Sequence, residues 1–212
     1  MRTEGLVLSG THVCLEPLDR RHVDGLAAAA AADPSLYRWS SVPQGKIEVS
    51  KYVETALAWR DAGSAAPFAI LQVDGGNVIG STRFWNLDRW SWPPGHPRQG
   101  RYLIDACEIG YTWLTRSAIR TAANTQAKLL MLTHAFETWQ VFGVCFHTDA
   151  RNQRSRAAIE RIGGKFEGIL RAHRMAIDRI ARDSARYSIV TTEWPAVKRR
   201  LSHFLNQGGL PV

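Results

Sequence analysis

Three groups of residues are of types and spacings that do chemistry. The first is the loop Arg120-Thr121-Ala122-Ala123-Asn124, followed by Thr125. Thr121, Ala122 and Ala123 are small enough for backbone N–H groups to come close to a ligand, and Asn124 is a preferred capping residue for the helix expected to begin there. A helix start offers unpaired N–H groups and the positive end of its dipole, so this loop reads as an anion site suited to phosphate. The second group is Glu108, on the strand-like run Glu108-Ile109-Gly110-Tyr111-Thr112-Trp113-Leu114, where Gly110 leaves room beside the carboxylate. The third is His147 and Asp149, at alternate positions of a second strand-like run. They have metal-ligand chemistry but no third ligand in sequence, so they read as a satisfied core pair and no metal is expected.

The elements that must position these groups follow from periodicity. Leu6-Val7-Leu8 and Val13-Cys14-Leu15 flank a turn, and Pro17-Leu18-Asp19 caps a helix that runs through the alanines to Ala32. A loop carrying Tyr37 and Trp39 leads to a helix over about Ile47 to Arg60. Residues 66–73 and 78–84 form a hairpin about Asp74-Gly75-Gly76-Asn77. Residues 86–104 form an extended loop rich in Pro and Gly that carries Trp90 and Trp92, expected at an acceptor-side flap or a subunit contact. Along the Glu108 strand, alternation puts Glu108, Gly110, Thr112 and Leu114 on one face and Ile109, Tyr111 and Trp113 on the other. A helix from Asn124 to about Trp139 follows, with Lys128 expected in a salt bridge. Then come the strand 143–148, a helix from Asn152 to Ile162, strands over 165–175 and 183–192, and a C-terminal helix over 193–206.

At 212 residues and 45% apolar content the chain is expected to be one domain, 1–212, with a sizeable core. Cys14, Cys107 and Cys145 are odd in number and far apart, which argues against a disulfide framework or zinc ribbon and fits a reducing cytoplasm. Met1 to Gly10 is too short in apolar residues for a signal peptide core, and no run approaches a membrane span. The net charge of +8 fits an anionic partner or a basic surface. Arginines between Arg151 and Arg186 read as a solvated face, some of them available to phosphate.

Taken jointly, several blocks resemble the GNAT superfamily of N-acetyltransferases, in the group related to RimJ and RimL. They are Glu108 to Leu114, Asn124-Thr125-Gln126-Ala127-Lys128-Leu129-Leu130 through Glu137, Asn152-Gln153-Arg154-Ser155 with Ile162-Gly163, Arg182-Asp183 with Tyr187-Ser188-Ile189, and Glu193 to Lys198. The likeness spans roughly Leu6 to Leu205. It implies an α/β fold with a mixed, mostly antiparallel central sheet, flanked by helices and splayed in the middle to hold acetyl-CoA. It also implies that the backbone at Trp113 and Leu114 pairs with the pantetheine arm, and that Arg120, Thr121, Ala122, Ala123, Asn124, Thr125 and Asn152 line the rest of the acetyl-CoA site. Tyr37 and Trp39, with Trp90 and Trp92 on their loop, are then candidates for contact with the acceptor. Two departures stand out: the family usually has Gly where Ala122 stands, and Ile159 occupies the place of a Tyr that protonates the departing thiolate in many members.

Such a pocket must deprotonate an amine, hold an oxyanion and protonate a thiolate. Glu108 is the expected base, directly or through water, and Ser155 the expected acid. The acceptor is a peptide N-terminus or a small amine, with membrane and nucleic acid not expected as partners and a homo-oligomer compatible with the sequence. Two other classes stay open: an acyl-CoA-binding protein without transfer activity, and a basic ribosome- or RNA-associated module, whose binding would fall steeply with salt.

Overall fold

Alternating burial along Val13–Pro17 and an unbroken buried run in Ala65–Ile70 build the first half of a sheet, as seen in a computed structural model that describes residues 5–207. The expected domain limits, 1–212, and the segment from Met1 extend beyond the described residues. In chain order the strands are β1 (Leu8–Ser9), β2 (Val13–Pro17), β3 (Ala65–Gln72), β4 (Val78–Asp88), β5 (Ala106–Leu114), β6 (Gly143–Asp149), β7 (Lys165–Met175) and β8 (Ala181–Val190). The helices are α1 (Val23–Ala31), α2 (Gly45–Asp61), α3 (Ala122–Thr133), α4 (Gln153–Arg161) and α5 (Trp194–Asn206). Among the described residues the eight strands form one sheet in the order β1-β2-β3-β4-β5-β6-β8-β7. Every pairing is antiparallel except β5 with β6, which are joined by the α3 crossover. This is the mixed, mostly antiparallel sheet expected from the sequence.

The one parallel pair is also the shortest for its strands' length. β5 and β6 pair only over Ala106–Glu108 and Gly143–Cys145, although β5 continues to Leu114 and β6 to Asp149. Beyond Glu108 the strands diverge, and the sheet opens in its middle. Two apolar clusters cover its faces. One, with Leu26, Val49, Val53 and Trp113, lies under α1 and α2; the other, with Ile109, Leu114, Met131, Leu132, Ile159 and Leu201, lies under α3, α4 and α5.

Four local expectations are corrected. Thr121, not Asn124, caps α3: its Oγ1 accepts from Ala123 N at 3.2 Å. The helix also ends earlier than Trp139 and passes into one wider turn over His134–Thr138. The alternation along β5 breaks at Tyr111, whose φ is +53° and which forms a bulge: Gly110 pairs with Arg83, and Trp113 with Ser81, leaving two residues opposite Thr82. Thr112 and Leu114 therefore join Ile109 on the α3 face, while Trp113 shares the α2 face with Glu108 and Gly110. Finally, β4 extends to Asp88, so the long loop begins after that residue.

Candidate functional site

The opening between β5 and β6 leads into a cavity of about 460 Å³. Its lining includes Tyr37, Trp39, Glu108, Trp113, Leu114, Arg120, Thr121, Asn124, Asn152 and Ser155. The side chains of Ala122, Ala123 and Thr125 are not on this wall. Ala123 is 5% exposed and belongs to the core, and Thr125 Oγ1 accepts from Arg161 Nη2 at 2.9 Å. What Ala122 and Ala123 bring to the mouth is the first turn of α3, where Thr121 satisfies only the Ala123 N–H. The left-handed residue of this loop is Arg120, at φ +61°, and Ala122 is ordinary helix. The turn therefore makes no conformational demand for Gly at position 122.

On the cavity's far side Asn152 caps α4, its Oδ1 accepting from Ser155 N at 3.1 Å. That bond orients the first turn of α4 so that Ser155 faces the cavity; among the described residues its hydroxyl has no side-chain or backbone partner. Tyr37 is 5% exposed and donates its hydroxyl to the Leu114 carbonyl at 3.1 Å, with its ring edge-on to Trp113 at 5.8 Å. It thus holds the free end of β5. Trp39 lies half-buried between Arg38 and Arg151, 4.9 and 4.3 Å from its ring.

Glu108 sits where the strands part, 1% exposed. Its carboxylate accepts two bonds from Arg174, Nη1 to Oε1 at 3.2 Å and Nη2 to Oε2 at 2.9 Å, and one from Asn86 Nδ2 at 3.0 Å. A second bulge in β4, with Asn86 at φ +47°, aims that amide at Glu108. The His147 ring lies against the same oxygen, Nδ1 3.1 Å away, but neither ring nitrogen is aligned on a hydrogen-bond partner. Burial pushes the Glu108 carboxyl up, but His147 and Arg174 together pull it further down, so the group stays below the ordinary carboxylate value and remains ionised.

Among the described residues no carboxylate lies within ion-pair distance of Lys128, contrary to the expected salt bridge. The lysine is 5% exposed, lines the cavity, and donates to Thr112 Oγ1 at 2.6 Å and Thr82 Oγ1 at 3.3 Å; burial lowers its pKa to about 7. His147 and Asp149 are not a pair either, because Asp149 binds Arg151 (Nη2 to Oδ2 2.8 Å). Glu108, Cys145 and His147 bring one ligand atom each within 4.8 Å of one another. The Arg174 guanidinium already occupies the carboxylate, and burial pushes the Cys145 thiol up to about 12, so the donor set is poor for a cation.

Trp90 and Trp92 take no part in the cavity. Trp90 stacks on Phe142 with ring centroids 5.4 Å apart, Trp92 stacks on His96 at 3.9 Å, and the loop winds around the buried Asp105 at the paired end of β5 and β6. Sequence reasoning assigned no role to Arg174, Arg182, Tyr111 or Asn86. Arg174 stood out only as a member of an arginine-rich stretch, and Arg182 there and in the family-like block with Asp183; no spacing rule connects Arg174 to a carboxylate 66 positions earlier.

The family model for the acetyltransferase (GNAT) domain matches residues 12–165. Among solved structures, a GCN5-related N-acetyltransferase from Brucella melitensis superposes with a TM-score of 0.82 at 26% identity, covering 97% of this chain and 87% of that one. Mycobacterium smegmatis RimJ, in complex with CoA-disulfide, gives 0.76 at 20% identity over 95% of each chain. The RimL ribosomal L7/L12 alpha-N-protein acetyltransferase, in complex with coenzyme A, gives 0.69 at 18% identity, covering 87% of this chain and 98% of that one. No curated protein sequence matches significantly. With three quarters of its length under the family model and an opened sheet of the same architecture, the chain belongs to the GNAT acetyltransferase family.

Proposed function

We propose that this chain transfers an acetyl group from acetyl-CoA to a primary amine, in the first place the α-amine at a peptide or protein N-terminus, by direct attack in a ternary complex. The observation that carries the reading is the juxtaposition, in one cavity, of a helix start where Thr121 caps only the Ala123 N–H, the unpaired edge of β5 and a fixed carboxylate. The first turn of α3 suits the pyrophosphate of CoA, and the end of β5 at Trp113 and Leu114, unpaired towards β6 with the Leu114 carbonyl already accepting from Tyr37, suits its pantetheine amides. The CoA-bound state of the RimJ and RimL structures supports the same donor for this chain.

Glu108 takes the proton side of the reaction. A carboxylate held by Arg174 and Asn86 is a weak base but a permanent anion, which attracts an ammonium and receives its proton through water. That strength suits an α-amine, whose pKa is about 7.7–8.0, better than a lysine side chain at about 10.4. Ser155, with its hydroxyl directed into the cavity, gives a proton to the departing thiolate, whose pKa near about 8.5 demands little of its donor. Ile159, 9% exposed, takes no part in that step.

The test is incubation of the purified protein with acetyl-CoA and peptides bearing a free N-terminus, with thiol release and peptide mass measured together. Acetylated peptide is expected, and Glu108→Gln is expected to lower turnover most at low pH while acetyl-CoA affinity holds. Tight acetyl-CoA binding without acetylation of any amine would leave an acyl-CoA-binding protein instead.

A further inference from the structure

The wall of the cavity opposite α3 carries more positive charge than the site's own carboxylate can balance. Arg174 of β7 and Arg182 of β8 are direct register partners. Like charges facing each other across an antiparallel pair destabilise it, and here Glu108 neutralises only Arg174. Among the described residues no carboxylate lies within ion-pair distance of Arg182. Its single side-chain bond runs from Nε to Ser184 Oγ at 3.2 Å, so both Nη groups are uncommitted, and the side chain lines the cavity. Burial, and then the Arg174 charge, lower its pKa from the ordinary arginine value. The nearby Asp149 is held by Arg151.

A third guanidinium stands behind these two. Arg83, 1% exposed, pairs in register with Gly110 and is enclosed by the rings of Tyr111, Tyr52 and Trp59 at 4.1, 4.8 and 5.3 Å; its Nε and Nη2 have no hydrogen-bond partner. Tyr52 and Tyr111 are cavity wall. Three guanidiniums and one carboxylate thus converge on the α2 side of the opening. The phosphate-ready start of α3 lies on the other face of the sheet, so the donor's phosphates are not the natural counter-ion for Arg182.

We propose that Arg182 and Arg174, backed by Arg83, form a subsite for a negatively charged group on the acceptor. The acceptor class is then an amine with a carboxylate close to the reacting nitrogen, as at an acidic peptide N-terminus, and polycationic amines are disfavoured. The inference rests on the acetyl-transfer reading above for its geometry, but its test does not depend on turnover.

Calorimetry on the CoA-loaded protein with three tripeptide amides provides that test. All three share a free N-terminal serine, followed by two aspartates, two alanines or two lysines. The aspartate peptide is expected to bind at least about tenfold tighter than the lysine peptide, the worth of one charge-assisted hydrogen bond. Arg182→Gln collapses that ratio and Arg182→Lys retains part of it. Arg199→Gln, which removes the same charge from an exposed position on α5, keeps it. No measurable binding of any peptide, equal affinities, a preference for lysine, or equal losses in the Arg182 and Arg199 variants would overturn the subsite. Discrimination without acetylation would sink the transfer reading and leave the subsite standing; acetylation without discrimination would do the reverse.

Discussion

Lys128 is the residue whose surroundings match its chemistry least. A fully buried ammonium held only by Thr112 and Thr82 bears its desolvation cost without a compensating carboxylate, and its pKa falls to about 7. In the unfolded chain the same group titrates near about 10.4. Between those values the unfolded state holds a proton that the folded state has released, so stability rises as pH climbs from about 7 towards about 10, and the full penalty applies below 7. The difference between wild type and Lys128→Met in urea unfolding free energy should therefore change by on the order of 2 kcal/mol between pH 7 and pH 9. Parallel pH profiles for the two proteins would show that Lys128 is solvated in the native state. At this scale the sequence was legible where local rules decide: the anion-ready loop, Asn152 before a helix and Ser155 in its first turn are all local features. The environments of Glu108 and Lys128 were not, since Arg174, Asn86, Thr82 and Thr112 reach them across strand registers that depend on two bulges.

Those bulges belong to the scale of elements. β4 and β5 must stay paired on one side so that β5 can stay free on the other, and Gly80 permits it. A Cβ there would lie 2.1 Å from the Trp113 carbonyl oxygen, a backbone atom that cannot swing aside. Gly143, at the start of β6, would instead place a Cβ 3.8 Å from the Ile189 oxygen, an ordinary contact. Gly80→Ala is accordingly expected to cost about 1–3 kcal/mol, the range of overpacked sites, and to weaken acetyl-CoA binding, while Gly143→Ala does neither. Equal unfolding midpoints for the two variants would mean that the β4–β5 seam is looser than its geometry indicates. Most strand segments and helix placements were readable from alternation and from caps such as Asp19, which does accept from Arg21 N at 3.0 Å. The bulge at Tyr111 was not, because a left-handed tyrosine is set by its packing on Arg83, Trp59 and Trp85 rather than by any local preference.

Across the whole molecule, the open and paired ends of β5 and β6 do different work. The open end holds the cavity; the paired end is covered by the long loop after β4, which folds on Asp105. That carboxylate, 2% exposed, accepts from Trp90 N at 2.8 Å, Trp92 Nε1 at 3.1 Å and Arg98 Nη1 at 2.6 Å. Burial pushes it up, but these three donors more than offset that and hold it below its ordinary value. A depressed carboxylate contributes stability above its unfolded pKa, about 3.9, and loses it as pH falls through the folded value. The loop should therefore open in acid below about pH 4, and Asp105→Ala should open it at neutral pH, leaving the largely buried Arg98 without its partner. Red-shifted Trp90 and Trp92 fluorescence and faster tryptic cleavage at Arg89, Arg98 or Arg101 are the expected signals, with acetyl-CoA affinity held within about twofold because the loop touches no part of the cavity. An equal loss of acetyl-CoA affinity would tie the loop to the site after all. Intact affinity with impaired peptide acetylation would instead assign it the acceptor-side flap role expected from its tryptophans.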